Sequence, residues 1–290
     1  MIVVKLQGGL GNQLFQYAFG RFLATRLRKQ LVLDLDFLLD RTPKDNFVYR
    51  NFDLDLFDLD HYSILNEKLN NLFHKSGLFQ RSPVFFKEKS FNFHDYTSIL
   101  KAKKIYLDGY WQSFKYFKEI EIKLREELNF KIPLNEEQKK MQNEILLSKS
   151  ICINFRRTDF VTIKTAINTH GIPTMDYYKN AINHIVNHIG DDVHLYVFSD
   201  DIEWCEQNFS SNFPTFFVGH EQYKGERFSA YLQLMKSCKH FIIPNSTFGW
   251  WAAWLGDYKN KVVITPKNWF ADKTLQSQTQ DLRPDSWICL

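Results

Sequence analysis

Cysteine is scarce: four residues in 290, Cys152, Cys205, Cys238 and Cys289. None forms a C-x-x-C pair and none has a histidine at ligand spacing, which speaks against a zinc motif. Their separate placement in apolar stretches predicts reduced, buried thiols. Long hydrophobic runs are missing as well, since no stretch reaches the ~20 apolar residues that span a bilayer. Met1 leads straight into an apolar strand without the charged and apolar regions of a signal peptide, so a cytoplasmic location is expected. Charge of one sign is also thin. The net charge is only +4, and the basic clusters at residues 26–29 and 101–104 are short. A nucleic-acid partner would call for a denser basic stripe. The mild positive charge suits an anionic small ligand, or peripheral contact with the inner face of an anionic membrane.

What is present describes a packed globular chain. Hydrophobic residues make up 44% and charged residues 24%, close to the average for folded domains. The length suits two ordinary domains. Aromatic residues reach 16%; most of them must be core, and exposed ones can stack on sugar rings.

The chain opens as a βαβ unit. An apolar strand at residues 2–6 runs into Gly8, Gly9 and Gly11. From Asn12 the apolar positions Phe15, Ala18 and Phe22 recur near helical spacing, and residues 31–35 read as a second strand. Residues 36–93 are irregular, with short helices and loops expected. A further strand at 104–107 leads into Asp108-Gly109-Tyr110-Trp111-Gln112. Helices are expected at 119–128 and 136–147. The second half alternates cleanly: strands at 151–155, 193–198, 215–218, 241–243 and 262–264, and helices at 177–189, 202–209, 226–238 and 248–255. Such alternation predicts a parallel, doubly wound sheet. The boundary is placed at 148/149, giving an N-terminal α/β domain on the acceptor side (1–148) and a C-terminal Rossmann-like, nucleotide-binding domain (149–290).

Ligands of such sheets bind outside the carboxyl ends of the strands, and the second-half strands end in suggestive residues. Arg156, Arg157 and Asp159 follow one strand, Asp200 and Asp201 the next, and Asn245, Ser246 and Thr247 a later one. Guanidiniums bind phosphate oxygens bidentately, and the free N–H groups of a helix start favour anions. An aspartate can accept from the donors of a guanine edge. Together these describe a nucleoside-diphosphate site. Taken singly, each has a plainer explanation: an Arg-Arg-x-Asp run is often a surface ion-pair cluster, an Asp pair a helix N-cap, and Arg157 could simply brace Asp159. Their joint placement favours the site.

Gly9-Leu10-Gly11 after a strand imitates a dinucleotide fingerprint, but Leu14 occupies the position that needs a small residue, which argues against NAD. Asn12 is free to present an amide from this turn. Three D-L-D tripeptides (Asp34/Asp36, Asp53/Asp55, Asp58/Asp60) imitate a metal motif of another transferase class. Two of them lie in the alternating stretch FDLDLFDLD, typical of a half-exposed segment, so metal binding is the minority reading.

GGLGNQLFQYAFG, LDGYWQSFKYF, NFRRTD, FSDD and IIPNSTFGWWAAWL resemble, in order and spacing, the bacterial α-1,2-fucosyltransferases of glycosyltransferase family 11, from residue 1 to about Trp287. The resemblance implies an α/β fold of GT-B type, two Rossmann-like domains facing a cleft. It implies inverting transfer of L-fucose from GDP-fucose to a galactose hydroxyl of a β-galactoside glycan, with no metal or other cofactor required. Carried over residue by residue, Arg156 contacts the β-phosphate, Asp201 the guanine, and Ser246 with Thr247 the phosphates, while Asn12 lies near the reacting centre. Gly9, Gly11, Asn154, Arg157, Asp200, Asn245 and Phe248 complete the donor-binding set, and Asp159 joins Arg156 and Asn12 as a catalytic candidate. The chain departs from the family pattern at Asn154, where His is frequent, at Tyr231, where Asp is common, and at Gly249, where Ser is. His170, on a stretch read as flexible, is a weaker candidate for a base, and Tyr110-Trp111-Gln112 a candidate sugar platform. The rivals are a metal-dependent transferase, a Rossmann oxidoreductase and a non-catalytic glycan-binding protein.

Overall fold

The computed structural model describes residues 1–43, 48–75, 82–158 and 164–290, with side chains of 164–166 left aside. The chain divides into two compact units. One comprises Met1–Lys131 with Gln278–Arg283, the other Ile132–Ser277 with Pro284–Leu290. The division falls ahead of the expected 148/149 boundary because the helix Glu136–Leu147, started by an Asn135–Gln138 capping box, packs within the second unit.

The first unit is built on a parallel sheet of five strands: β1 (Ile2–Lys5), β2 (Leu31–Asp34), β3 (Tyr62–Ile64), β4 (Val84–Lys87) and β5 (Ile105–Asp108), in the order β3-β2-β1-β5-β4. Ile2 pairs with Leu31 on one side and Ile105 on the other. β1 and β2 are apolar and buried up to their last residues, Lys5 and Asp34, as strands covered on both faces must be. The strands β3 and β4 lie at the sheet edges, are largely exposed, and were not legible as strands in the sequence. The helix Leu10–Leu27 crosses between β1 and β2. Its buried residues run all round it, so Arg21 has to be neutralised in place: Glu127 takes it bidentately at 2.6 and 2.9 Å.

The second unit holds a parallel sheet of six strands: β6 (Ser150–Phe155), β7 (His194–Ser199), β8 (Thr215–Phe217), β9 (His240–Ile242), β10 (Val263–Thr265) and β11 (Ile288–Cys289), in the order β11-β10-β9-β6-β7-β8. All its pairings are parallel. One face is packed by the helices Met175–Ile189 and Ile202–Asn208 around Ile151, Ile153, Leu195 and Val197. The buried helix Thr247–Leu255 carries Trp250, Trp251 and Trp254. The helix expected at 226–238 is broken: a 3-10 turn Glu226–Phe228 precedes the helix Ser229–Lys236, and Arg227 and Phe228 both adopt positive φ.

Cys152, Cys205 and Cys238 are buried as expected, whereas Cys289 is exposed on the short strand β11. Burial pushes the Cys205 thiol up to about 11 and the Cys238 thiol well above its ordinary value, so neither supplies a thiolate. Among the described residues, no helix is long and apolar enough to cross a membrane.

Candidate functional site

β6 lies between β7 and β9, and the carboxyl ends of these neighbouring strands release the residues singled out in the sequence. β7 and β8 continue to one side of β6 while β9 returns to the other, so a topological switch point falls between β6 and β9, the place where open parallel sheets bind ligands.

Asp200 organises the loop after β6. Its Oδ1 accepts from the Arg157 N–H at 2.8 Å, its Oδ2 from the Thr158 N–H at 3.2 Å and from the Thr158 hydroxyl, and the Arg156 guanidinium lies 2.8 Å from Oδ2. A carboxylate so surrounded is an internal brace of the loop, with Oδ2 the more heavily engaged of its two oxygens. Arg156, whose side chain is half-buried, is thereby kept at the sheet edge.

Arg157 is held differently. Its Nε donates to Asp201 Oδ2 at 3.2 Å and its guanidinium lies 3.4 Å from the centroid of the Trp204 ring. Stacking and ion pairing fix it, so Arg157 braces Asp201. Asp201 also caps the helix Ile202–Asn208 by accepting from the Trp204 N–H at 3.3 Å. Each Asp201 oxygen keeps a lone pair for a donor such as a guanine edge. Asp159 lies outside the described residues.

After β9, Ser246 takes the N-cap position of the helix Thr247–Leu255, but no side chain caps it. The first-turn N–H groups of Thr247, Phe248 and Gly249 therefore have no side-chain cap, the condition under which a helix start can take an anion. Asn245 is held through its amide nitrogen. Its Nδ2 donates to the carbonyls of His170 (2.8 Å), Trp269 (3.0 Å) and Gly171 (3.3 Å), so its donors are engaged in tying the 169–171 segment to this edge. Its buried Oδ1 has no hydrogen-bond partner among the described residues.

His170 was expected on a flexible stretch and instead ends the helix Lys164–His170. Burial, reinforced by the nearby Arg156 charge, lowers its pKa below the ordinary histidine value, so the ring is neutral around pH 7. Asn154 is buried on β6, donating from Nδ2 to the Phe198 carbonyl at 3.1 Å. Its Oδ1 points at Gly249: a Cβ there would fall 2.7 Å away. Two departures from the family pattern thus touch each other. The third, Tyr231, is buried and its hydroxyl donates to the Val218 carbonyl.

In the first unit, Gly9 is the N-cap residue and Gly11 the second residue of the helix Leu10–Leu27, and Leu14 is fully buried in the core. Asn12, in the first turn, accepts at Oδ1 from Gln112 Nε2 at 2.9 Å. Trp111 is fully buried and stacks on Phe86 at 5.3 Å, which removes it as a sugar platform; Tyr110 stays partly exposed. Of the D-L-D aspartates, Asp34 is tied to the Tyr106 hydroxyl and the Asp36 N–H. Among the described residues no group of three or more His, Cys, Asp or Glu side chains is placed to hold a metal ion.

The reading of the sequence missed Trp204 as the stacking partner of Arg157, and Glu88 as the acceptor of the Tyr110 and Trp111 N–H groups. Trp204 sits three residues after the Asp pair, in the first turn of a helix, a signal available in the sequence. Glu88 carried none, since its partners lie more than twenty residues away.

Comparison with known proteins gives the family and the fold. The family model described as Glycosyl transferase family 11 matches residues 83–290. An Escherichia coli protein named O-antigen biosynthesis glycosyltransferase WbnK is 33% identical, over 98% of this chain and 99% of its own. An Escherichia coli alpha-1,2-colitosyltransferase is 30% identical, over 99% and 98%. Among solved structures, a variant of Arabidopsis thaliana FUT1 in complex with GDP aligns with a TM-score of 0.52 at 14% identity, covering 99% of this chain and 75% of that one. That likeness is one of fold and identifies the α/β architecture with two parallel sheets as GT-B-type. With a family match over most of the chain and two relatives aligned from end to end, the chain belongs to glycosyl transferase family 11 and is a glycosyltransferase.

Proposed function

We propose that the protein transfers L-fucose from GDP-fucose, with inversion and without a required metal, to the 2-hydroxyl of a β-galactoside within a bacterial surface glycan. The observation that carries this reading is the pairing of Arg156, braced by Asp200, with the uncapped helix start at Ser246–Gly249 on the neighbouring strand end. In an inverting transfer the acceptor oxygen attacks the anomeric carbon as its bond to the β-phosphate oxygen breaks, the electron pair leaving with GDP. The new charge on the β-phosphate needs fixed donors where it appears. Arg156 and the N–H groups of Thr247 and Phe248 supply a cation and dipoles without a metal. Asp201 takes the guanine edge, with Arg157 and Trp204 holding it in place, and Asn154 and Asn245 shape the loops. The acceptor side falls to the first unit, through Asn12, and the proton of the attacking hydroxyl goes to water or to a base such as Asp159.

The surface-glycan acceptor is supported by the O-antigen role in the name of one relative. The other relative's name supports a second reading, transfer of colitose by the same chemistry. The deciding experiment measures GDP release in the presence of EDTA, with GDP-fucose or the colitose sugar nucleotide, across a panel of β-galactosides and without acceptor. Acceptor-dependent release from GDP-fucose is expected. Release only from the colitose donor would replace the first reading with the second, and release abolished by EDTA would end the metal-free one. No release and no GDP binding by calorimetry would remove the donor assignment altogether.

A further inference from the structure

The carboxyl edge of the first unit's sheet carries a clamp with no assigned role. Glu88 follows β4 directly. Its Oε2 accepts from the Tyr110 N–H at 2.7 Å and its Oε1 from the Trp111 N–H at 2.9 Å. Trp111 sits at φ +57, a left-handed conformation that a bulky residue keeps only when its surroundings hold it there. They do so from both sides. The Trp111 ring is buried against Phe86 and Phe19. Gly109 brings the backbone so near that a Cβ on it would fall 2.4 Å from Glu88 Cβ and 2.9 Å from Trp111 Cε2.

The consequence lies one residue on. Gln112 is turned inward, buried, and donates from Nε2 to Asn12 Oδ1. That bond sets the polarity of both amides: Gln112 is left with Oε1 as an acceptor, Asn12 with Nδ2 as a donor. Neither atom has a further partner among the described residues. A hydroxyl group both donates and accepts, so an acceptor beside a donor is its complement. The pair sits beside β1 and β5, where the first unit's sheet changes direction and ligands are expected.

We infer that Glu88 is the positioning residue of an acceptor subsite in the first unit, where the Asn12–Gln112 amide pair takes a hydroxyl of a neutral saccharide. This deepens the glycosyl-transfer reading above and rests on it for the identity of the ligand class. Glu88 acts through the backbone of Tyr110 and Trp111 and touches no substrate itself.

The clamp has a pH signature. Burial first, and the Asp108 carboxylate to a lesser degree, raise Glu88 to about 7 against the pull of the two N–H bonds. The other charged and titratable groups around it are Lys5, paired with Asp108 at 3.2 Å, and the Tyr110 and Tyr116 hydroxyls, which burial keeps protonated. Ionised Glu88 accepts from both N–H groups, whereas the protonated form turns one oxygen into a donor and loses an acceptor. Saccharide affinity therefore rises with pH through about 7.

The test is a saturation-transfer NMR titration of the full chain with methyl β-D-galactoside and lactose, on both sides of that pH, with GDP affinity measured by calorimetry on the same samples. Glu88→Gln should weaken saccharide binding on the order of tenfold and flatten its pH dependence, since the amide satisfies only one of the two N–H groups. Gln112→Ala should weaken it similarly, and the double variant should lose no more than the worse single one. GDP affinity should stay within about twofold throughout. Retained affinity or a retained pH limb in Glu88→Gln would overturn the inference, as would additive losses in the double variant. If Glu88→Gln also loses GDP affinity it has misfolded, and an unchanged Gln112→Ala then overturns the inference by itself. A wild type that binds saccharide but not GDP would break the donor assignment and leave this subsite standing; one that binds GDP but no saccharide would do the reverse.

Discussion

In each unit the first strand lies inside its sheet, β1 between β2 and β5, β6 between β7 and β9, so both sheets change direction beside it. The same plan carries different chemistry at the two places. Beside β6 stand two guanidinium–carboxylate pairs, Arg156 with Asp200 and Arg157 with Asp201, with an uncapped helix start on the next strand. Beside β1 stand two neutral amides, Asn12 and Gln112, with one buried carboxylate behind them. Fixed charge suits a pyrophosphate leaving group, and a neutral donor–acceptor pair suits a sugar hydroxyl. Under the proposed function, the shared topology sets where each sheet takes its ligand and side-chain charge sets which ligand it takes.

Each unit also has an Arg–carboxylate pair, and these pairs should behave in opposite ways. In the first unit Arg21 and Glu127 are both about 10% exposed at the side chain and only 2.6 Å apart. Glu127→Ala leaves the Arg21 charge buried without its partner, and should cost about 3–5 kcal/mol of stability. Hydrogen exchange should show the loss in the first unit, with the β6–β7 amides protected as before. Equal loss in both units would mean that the two do not respond separately.

Arg156→Ala should do the reverse. Asp200 keeps its bonds to Arg157 and Thr158, so stability should change by less than about 1 kcal/mol. Turnover should fall on the order of a hundred- to a thousandfold, as when an oxyanion donor is lost. A folded variant with near-normal kcat would take Arg156 out of the mechanism, and a variant that simply melts would make the pair structural like its counterpart.

Legibility in the sequence followed burial. β6 and β7 are apolar through almost their whole length and were read nearly to the residue. β3 and β4 are short edge strands: β3 has only three residues, too few for a period-two signal, and the three apolar residues of β4 run consecutively. The break at Arg227 and Phe228 escaped because the apolar spacing continues across it, while positive φ at a non-glycine residue leaves no mark in sequence. At the site, strand ends singled out Arg156, Arg157, Asp200, Asp201, Asn245, Ser246 and Thr247 as candidates by position, and the family resemblance alone chose Asp201 over Asp200 for the guanine. The roles of Asp200 and Asn245 were not legible, because each is set by which backbone groups the fold brings to the side chain. Glu88 was invisible for the same reason: its partners lie 22 and 23 residues away.

A smaller effect tests the contact between Asn154 and Gly249. Gly249→Ala places a methyl group 2.7 Å from Asn154 Oδ1, whose amide is tethered through Nδ2 to the Phe198 carbonyl. Overpacking of this kind costs about 1–3 kcal/mol. The cost should fall in an Asn154→Ala background, giving a coupling of at least about 0.5 kcal/mol in the double-mutant cycle. Additive losses would mean that Ile243, the next nearest neighbour at 3.3 Å, limits the site instead.

The weakest expected signal is also the sharpest contrast. In the second unit His240 is buried at the start of β9, accepting at Nδ1 from the Val262 N–H at 3.1 Å, and burial lowers its pKa from 6.5 to about 4. As pH falls from 6.5 toward 4, the unfolded chain takes up a proton that the folded chain refuses, so the second unit loses stability across that window. In the first unit Glu88 has its pKa raised from 4.5 to about 7, so its contribution is fully present below 4.5 and is lost as pH rises through about 7. Between pH 4.5 and 6.5 the two groups therefore push their own units in opposite directions. Amide exchange resolved by unit should show β6 and β9 opening more readily at the acidic end and β1 and β5 at the neutral end. His240→Gln should flatten the first trend and leave the second. If both units soften toward the same end of the window, other groups dominate the linkage and these two burials do not set it.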